Sequence, residues 1–135
     1  MSCFRSLISV AAAPVAMSIL LSACGAALIV KDPAPGQTLS DGVYEGKYSS
    51  WPNKATVSVS IKDGRIADVK ILSHWASWIG KKAEPVIPPR IIEKQSANVD
   101  AVTGATNSSR VIMNAVQDAL EKSYRTTNNS LKEKE

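Results

Sequence analysis

Residues 55–72 read ATVSVSIKDGRIADVKIL. Ala55, Val57, Val59 and Ile61 alternate with Thr56, Ser58 and Ser60, which is the period of a half-buried strand. Asp63-Gly64 breaks the pattern with a turn signal, and Arg65 to Leu72 resumes it through Ala67, Val69 and Ile71. Two strands joined this closely must pair antiparallel. A two-residue turn at Asp63-Gly64 pairs Ile61 with Ile66, but then sets Val59 against Asp68 and Val57 against Lys70. That mixes the two faces. A three-residue loop, Lys62-Asp63-Gly64, sets Val59 against Ala67 and Val57 against Val69, with Gly64 as a bulge glycine. The second register keeps one apolar face, and it is the one expected.

Upstream, Asp41-Gly42 opens another strand, Val43 to Ser49. Downstream, Trp75 to Val86 has no period and reads as a loop with a short helical turn. Pro88-Pro89 before Arg90 to Gln95 predicts a short helix, since proline is tolerated in a first turn. Val99 to Thr106 reads as a loop around Gly104. Ile112, Ala115, Val116, Ala119 and Leu120 then fall on one face of an amphipathic helix, about Asn107 to Lys122, capped by Asn107 or Thr106. The fold class is therefore α+β: a small antiparallel sheet packed against two or three helices, the last one long and amphipathic.

The chain has 135 residues and a formal charge of +4, enough for one domain with an appendage. Its lysines are scattered, which argues against nucleic acid as a partner. One histidine, His74, and two cysteines, Cys3 and Cys24, exclude a Cys/His zinc site, an attached c-type haem and a cysteine-held iron–sulfur cluster. A Ser-His-Asp triad would rest wholly on His74.

Residues 1–23 combine Arg5 with an uncharged run from Leu7 to Ala23. This is an export signal. A retained membrane helix is the rival reading, but the run is near the lower length limit and Pro14 interrupts it. Leu21-Ser22-Ala23-Cys24 resembles the bacterial lipobox, which implies cleavage before Cys24 and lipidation of its sulfur. Two acyl chains, at about 0.8 kcal/mol per buried methylene, hold a protein at a bilayer. The resulting divisions are a lipoprotein signal peptide (1–23), a lipidated N-terminus and Pro/Gly tether (24–40), a folded domain (41–124) and a polar tail (125–135). The location expected is a bacterial membrane, lipid-anchored, facing the periplasm or the exterior.

Asp100-Ala101-Val102-Thr103-Gly104-Ala105-Thr106-Asn107-Ser108 runs into the last helix with small residues and clustered hydroxyls. Unpaired N–H groups and the helix dipole suit an anion there. Spacing alone fits a phosphate-binding loop and an ordinary capped start equally well, and the absence of Gly-Lys-Ser/Thr excludes a P-loop.

Those nine residues resemble the flavinylation motif of FMN-binding-domain proteins, relatives of the flavin-carrying subunits of sodium-pumping NADH:quinone reductases and Rnf complexes. Asp41 to Gly46, Lys62 to Ile66 and Ile87 to Ser96 resemble other parts of that domain. The resemblance implies that an ApbE-type flavin transferase, with Mg²⁺, moves FMN from FAD onto Ser108 as a phosphoester. It also implies that Thr103, Gly104, Ala105 and Thr106 shape the loop and that Asp100 presents it. Without the motif, Ser108 would read as a helix cap; Ser109 and Thr106 are the rival acceptors. The function implied is a membrane-anchored electron-transfer flavoprotein, an electron carrier rather than a stand-alone enzyme. A non-redox surface lipoprotein and a small flavin-dependent reductase are the alternatives. Trp75 and Trp78 read as flavin contacts or, more commonly, as core or rim packing, and His74 as a strand-end cap. Lys81 and Lys82 read as solvated surface or as partners of an anionic flavin. Relatives often carry an acidic residue soon after this histidine; Trp75-Ala76-Ser77-Trp78 has none.

Overall fold

The computed structural model describes Val30 and residues 38–132, with side chains described as far as residue 124. The expected signal peptide (residues 1–23), Cys24, most of the expected tether and residues 133–135 lie outside the described residues. Strands β1 (Gly42–Ser50), β2 (Asn53–Lys62) and β3 (Arg65–Trp75) form an antiparallel meander in the order β1-β2-β3. A 3₁₀ turn, Gly80–Ala83, leads to α1 (Ile87–Lys94) and then α2 (Thr106–Lys132). Helix α2 lies across β1 and β2, and α1 packs on β3. The α+β class read from the sequence is the one observed.

The β2–β3 register differs from the expected one. Asp63 and Gly64 both have positive φ, 54° and 68°, and Lys62 pairs with Arg65. This is a two-residue turn of the I′ kind, whose twist matches the strands it joins. Ile61 pairs with Ile66, yet Val59 pairs with Val69, because the ladder shifts by one residue at Ala67. The extra residue sits in the strand, not in the turn. It turns the apolar face over once, so Ile66 and Val69 both point inward and Ala67 is exposed. A second shift leaves Leu72 without a partner, exposed, and brings His74 opposite Ala55 on the inner side. The Asp41 carboxylate accepts the Gly64 N–H at 2.9 Å, and hydrogen bonds from Gly64 and Asp63 hold its pKa below the usual aspartate value.

The first bulge frees backbone groups at Ile66, and α1 supplies their partners. Gln95 ends α1 in the left-handed region, φ 55°. Its Oε1 accepts the Ile66 N–H at 2.8 Å, and its Nε2 donates to the carbonyls of Ile66 at 2.9 Å and Ile92 at 2.6 Å. One side chain thus ties helix, strand and bulge together. Gln95→Ala strands these groups half-buried. It is expected to cost roughly 1–3 kcal/mol, read as a lower urea midpoint with an unchanged m-value.

The core comprises Ala55, Val57, Val59, Ile61, Ile66 and Val69 from the sheet and Ile87 and Ile91 from α1. Val111, Ile112, Ala115, Val116, Ala119 and Leu120 join it from α2. All five stripe residues expected of α2 are buried. Val111, Met113, Asn114 and Gln117 are buried as well, because the helix is enclosed on more than one side. The backbone stays helical to Lys132, past the apolar stripe, since extending an existing helix carries none of the cost of nucleation. No described helix is long and apolar enough to cross a membrane.

Candidate functional site

Helix α2 begins where the Ala105 carbonyl accepts the Ser109 N–H at 2.9 Å. Thr106 and Asn107 therefore lie in the first turn rather than at the cap. The preceding loop turns sharply: the Ala105 N–H donates to the Val102 carbonyl at 2.9 Å across Thr103 and Gly104. Gly104 has φ 81°, as the third residue of a type II turn requires. A Cβ there would meet nothing within 4 Å, so this glycine is needed for its backbone conformation and not for room.

Ser109, a rival acceptor on sequence grounds, is used structurally. Its hydroxyl accepts the Val102 N–H at 3.0 Å and donates to the Ala105 carbonyl at 2.9 Å, and the residue is fully buried. It staples the turn to the helix. Ser109→Ala is expected to lower stability by roughly 1–3 kcal/mol through the unpaired Val102 N–H, measured as a fall in melting temperature.

Ser108 points elsewhere. It is 3% exposed, and its hydroxyl has no hydrogen-bond partner among the described residues. It does not act as a helix cap. It lines a cleft of about 300 Å³ together with Gly104, Ala105, Thr106 and Asn107. Pro52 from the β1–β2 turn, Asn53 at the start of β2, Ser77 and Ile79 from the loop after β3 and Gly80 at the start of the 3₁₀ turn close the other walls. The volume sits at the lower end of small-molecule sites, roughly 300–1,000 Å³. No acidic residue occupies the first turn of α2, so nothing there opposes an anion.

Of the six motif residues, four meet at this cleft: Gly104, Ala105, Thr106 and Ser108. Thr103 is exposed on the turn and does not line it. Asp100 lies in a separate groove with Arg90, Glu93, Lys94 and Val99, and its carbonyl accepts Arg90 Nη1 at 2.7 Å.

The loop after β3 carries features with no local signal in the sequence. His74 does not cap the strand end; its side chain is 1% exposed, with Nδ1 2.9 Å from Glu84 Oε1. The acidic partner comes ten residues later, beyond an aperiodic loop. Nε2 is buried with no hydrogen-bond partner among the described residues. Trp75 and Trp78 are 66% and 74% exposed, so neither is core, and Trp51 joins them at 87%. The Lys54 and Lys82 ammonium groups sit 5.9 and 5.5 Å from the ring centroids of Trp75 and Trp78. Register places these tryptophans at one end of the sheet: Trp75 pairs with Lys54, and Trp51 sits in the adjoining turn. That end adjoins the cleft through Pro52, Asn53, Ser77 and Ile79.

The family model described as the FMN-binding domain matches residues 51–121. An uncharacterized protein of Treponema pallidum is 34% identical over 88 residues, covering 62% of this chain and 23% of that one. A urocanate reductase of Eggerthella lenta is 31% identical over 115 residues, covering 76% of this chain and 19% of the reductase. The chain thus spans about a fifth to a quarter of the length of these relatives. The fold is similar to that of the CPE2226 protein from Clostridium perfringens, known from its crystal structure. The TM-score is 0.54 with 24% identity, over 65% of this chain and 91% of that one.

Proposed function

Because the chain belongs to the FMN-binding domain family, we propose that it carries FMN covalently on the Ser108 hydroxyl and serves as an electron carrier. The observation that carries this reading is a serine hydroxyl in the first turn of α2 without a hydrogen-bond partner among the described residues, facing a cleft, at the acceptor position of the motif. The residues present fit the group. No described residue engages the serine hydroxyl, which leaves it available for esterification, and the start of α2 favours the remaining phosphate charge by roughly 0.3–1 kcal/mol. The cleft is small and open, so it suits the phosphate and its chain, with the ring lying outward toward the tryptophan-bearing end.

Attachment is a phosphoryl transfer. The Ser108 Oγ–P bond forms, the pyrophosphate P–O bond of FAD breaks, AMP leaves, and the serine proton passes to a base on the flavin transferase. The turn at Thr103-Gly104 and the Ser109 staple hold the acceptor in one place for that partner. The bound flavin supplies the redox chemistry. This chain contributes fixation and a partly screened, cationic and aromatic setting from Lys54, Lys82 and the exposed tryptophans.

We read the N-terminus as a lipid anchor at Cys24, from Leu21-Ser22-Ala23-Cys24. On this reading the domain works on the exported side of a bacterial membrane, where a covalent link prevents loss of the flavin. The test is coexpression with a flavin transferase followed by a denaturing gel under ultraviolet light. A fluorescent band at the size of this chain is expected. A dark band would remove the covalent reading.

A further inference from the structure

We propose that Gly80 is part of the flavin acceptor site: its missing side chain leaves the space beside Ser108 Oγ that a phosphoester needs. The inference rests on Ser108 being the acceptor, and it adds a specificity-determining residue 28 positions upstream of it, outside the motif. A Cβ built on Gly80 would stand 2.3 Å from Ser108 Oγ and 3.3 Å from Ser108 Cβ. A phosphorus bonded to Oγ, with its free oxygens, must occupy the shell just outside that oxygen. A Cβ at position 80 invades the same shell.

Gly80 does not owe its identity to its backbone. Its φ lies outside the left-handed region, so any residue can adopt it. Nor is it held loosely. The Gly80 N–H donates to Ser77 Oγ at 3.3 Å, and the Lys81 N–H donates to the Ser77 carbonyl at 3.1 Å. Farther along, the His74–Glu84 contact ties the end of this loop back to β3. The loop therefore presents a bare Cα to the acceptor hydroxyl from a fixed position, and a side chain there has little freedom to move aside.

Apart from the adjacent residues, the other atom within 3.0 Å of the added Cβ among the described residues is Ala76 Cβ, at 2.9 Å. This makes a clean test possible. Gly80→Ala meets both neighbours, whereas the double variant Ala76→Gly/Gly80→Ala meets only Ser108. Each is incubated with FAD, Mg²⁺ and a flavin transferase, and covalent FMN is followed by intact mass. Both variants are expected to take FMN with a kcat lowered by roughly 10²-fold, the scale of a misplaced reacting group. The KM for the chain should stay unchanged, because Gly80 is buried and offers no docking face. The double variant is expected to melt closer to the wild type than Gly80→Ala does, since one of the two clashes is gone, and Ala76→Gly alone to be labelled at the normal rate. Normal labelling of the double variant, or a change confined to KM, would overturn the assignment of Gly80 while leaving Ser108 as acceptor. Failure of the wild-type chain to take FMN would instead remove the reading on which the inference rests.

Discussion

Gly46→Ala is expected to unfold the domain or bring it close to unfolding. Gly46 lies in the middle of β1, where α2 crosses the sheet, and it is buried. A Cβ at this position would fall 1.9 Å from the Ala115 carbonyl oxygen and 2.7 Å from the Ala119 nitrogen. Both are backbone atoms of a helix, so no rotamer change relieves the clash. Strand and helix must separate, and the separation breaks more than packing. On either side of Gly46, α2 grips the strand by polar contacts. Asp118 Oδ2 accepts the Lys47 N–H at 3.0 Å, and Lys122 Nζ donates to the Glu45 carbonyl at 2.6 Å. We expect a loss of roughly 3–5 kcal/mol, above the usual range for overpacking because the obstruction is backbone. For a domain of this size each kcal/mol moves the melting temperature by about 4–8 °C. A urea titration with a midpoint near that of wild type would show that β1 and α2 do not approach this closely.

Ser108→Ala is expected to eliminate covalent FMN without harming the fold. The hydroxyl makes no hydrogen bond among the described residues, so its removal leaves no group unpaired. The side chain is buried, and a methyl fills nearly the same space. Stability should therefore stay within about 0.5 kcal/mol of wild type, the usual scatter for substitutions that break no named interaction. FMN incorporation should fall from full occupancy to none. Ser109→Ala is the instructive companion. It should be less stable and still labelled, since its hydroxyl is committed to Val102 and Ala105. A labelled Ser108→Ala chain would move the acceptor to Thr106 or Thr103, both exposed on the same turn.

How much of this was legible in the sequence depends on the range of the interaction. The alternation from Ala55 to Ile61 and the stripe on α2 are local periodicities, and both survive in the structure. The motif at residues 100–108 is contiguous, so its loop and helix start could be read directly. The bulge at Ala67 could not. Its position is decided by the competition between turn twist at Asp63-Gly64 and burial of Ile66 and Val69, and by the Gln95 side chain that pairs the freed groups. Glu84 and Gly80 carry no readable signal in the sequence for a similar reason. Each acquires its role through a partner on another element, across a loop without period. Asp100 shows the converse: adjacency in the motif did not bring it to the cleft, because the chain turns between it and Gly104.

On the reading proposed here, a flavin phosphate is esterified to one serine at the start of α2. Tryptic digestion of the denatured holoprotein should release residues 95–110, which carry Ser96, Thr103, Thr106, Ser108 and Ser109 together. Fragmentation mass spectrometry of that peptide measures the claim directly. A single FMN on Ser108, with the other four hydroxyls unmodified, is the expected result. FMN on any of those four, or an unmodified peptide from a chain whose flavin washed away on denaturation, would overturn the assignment of Ser108.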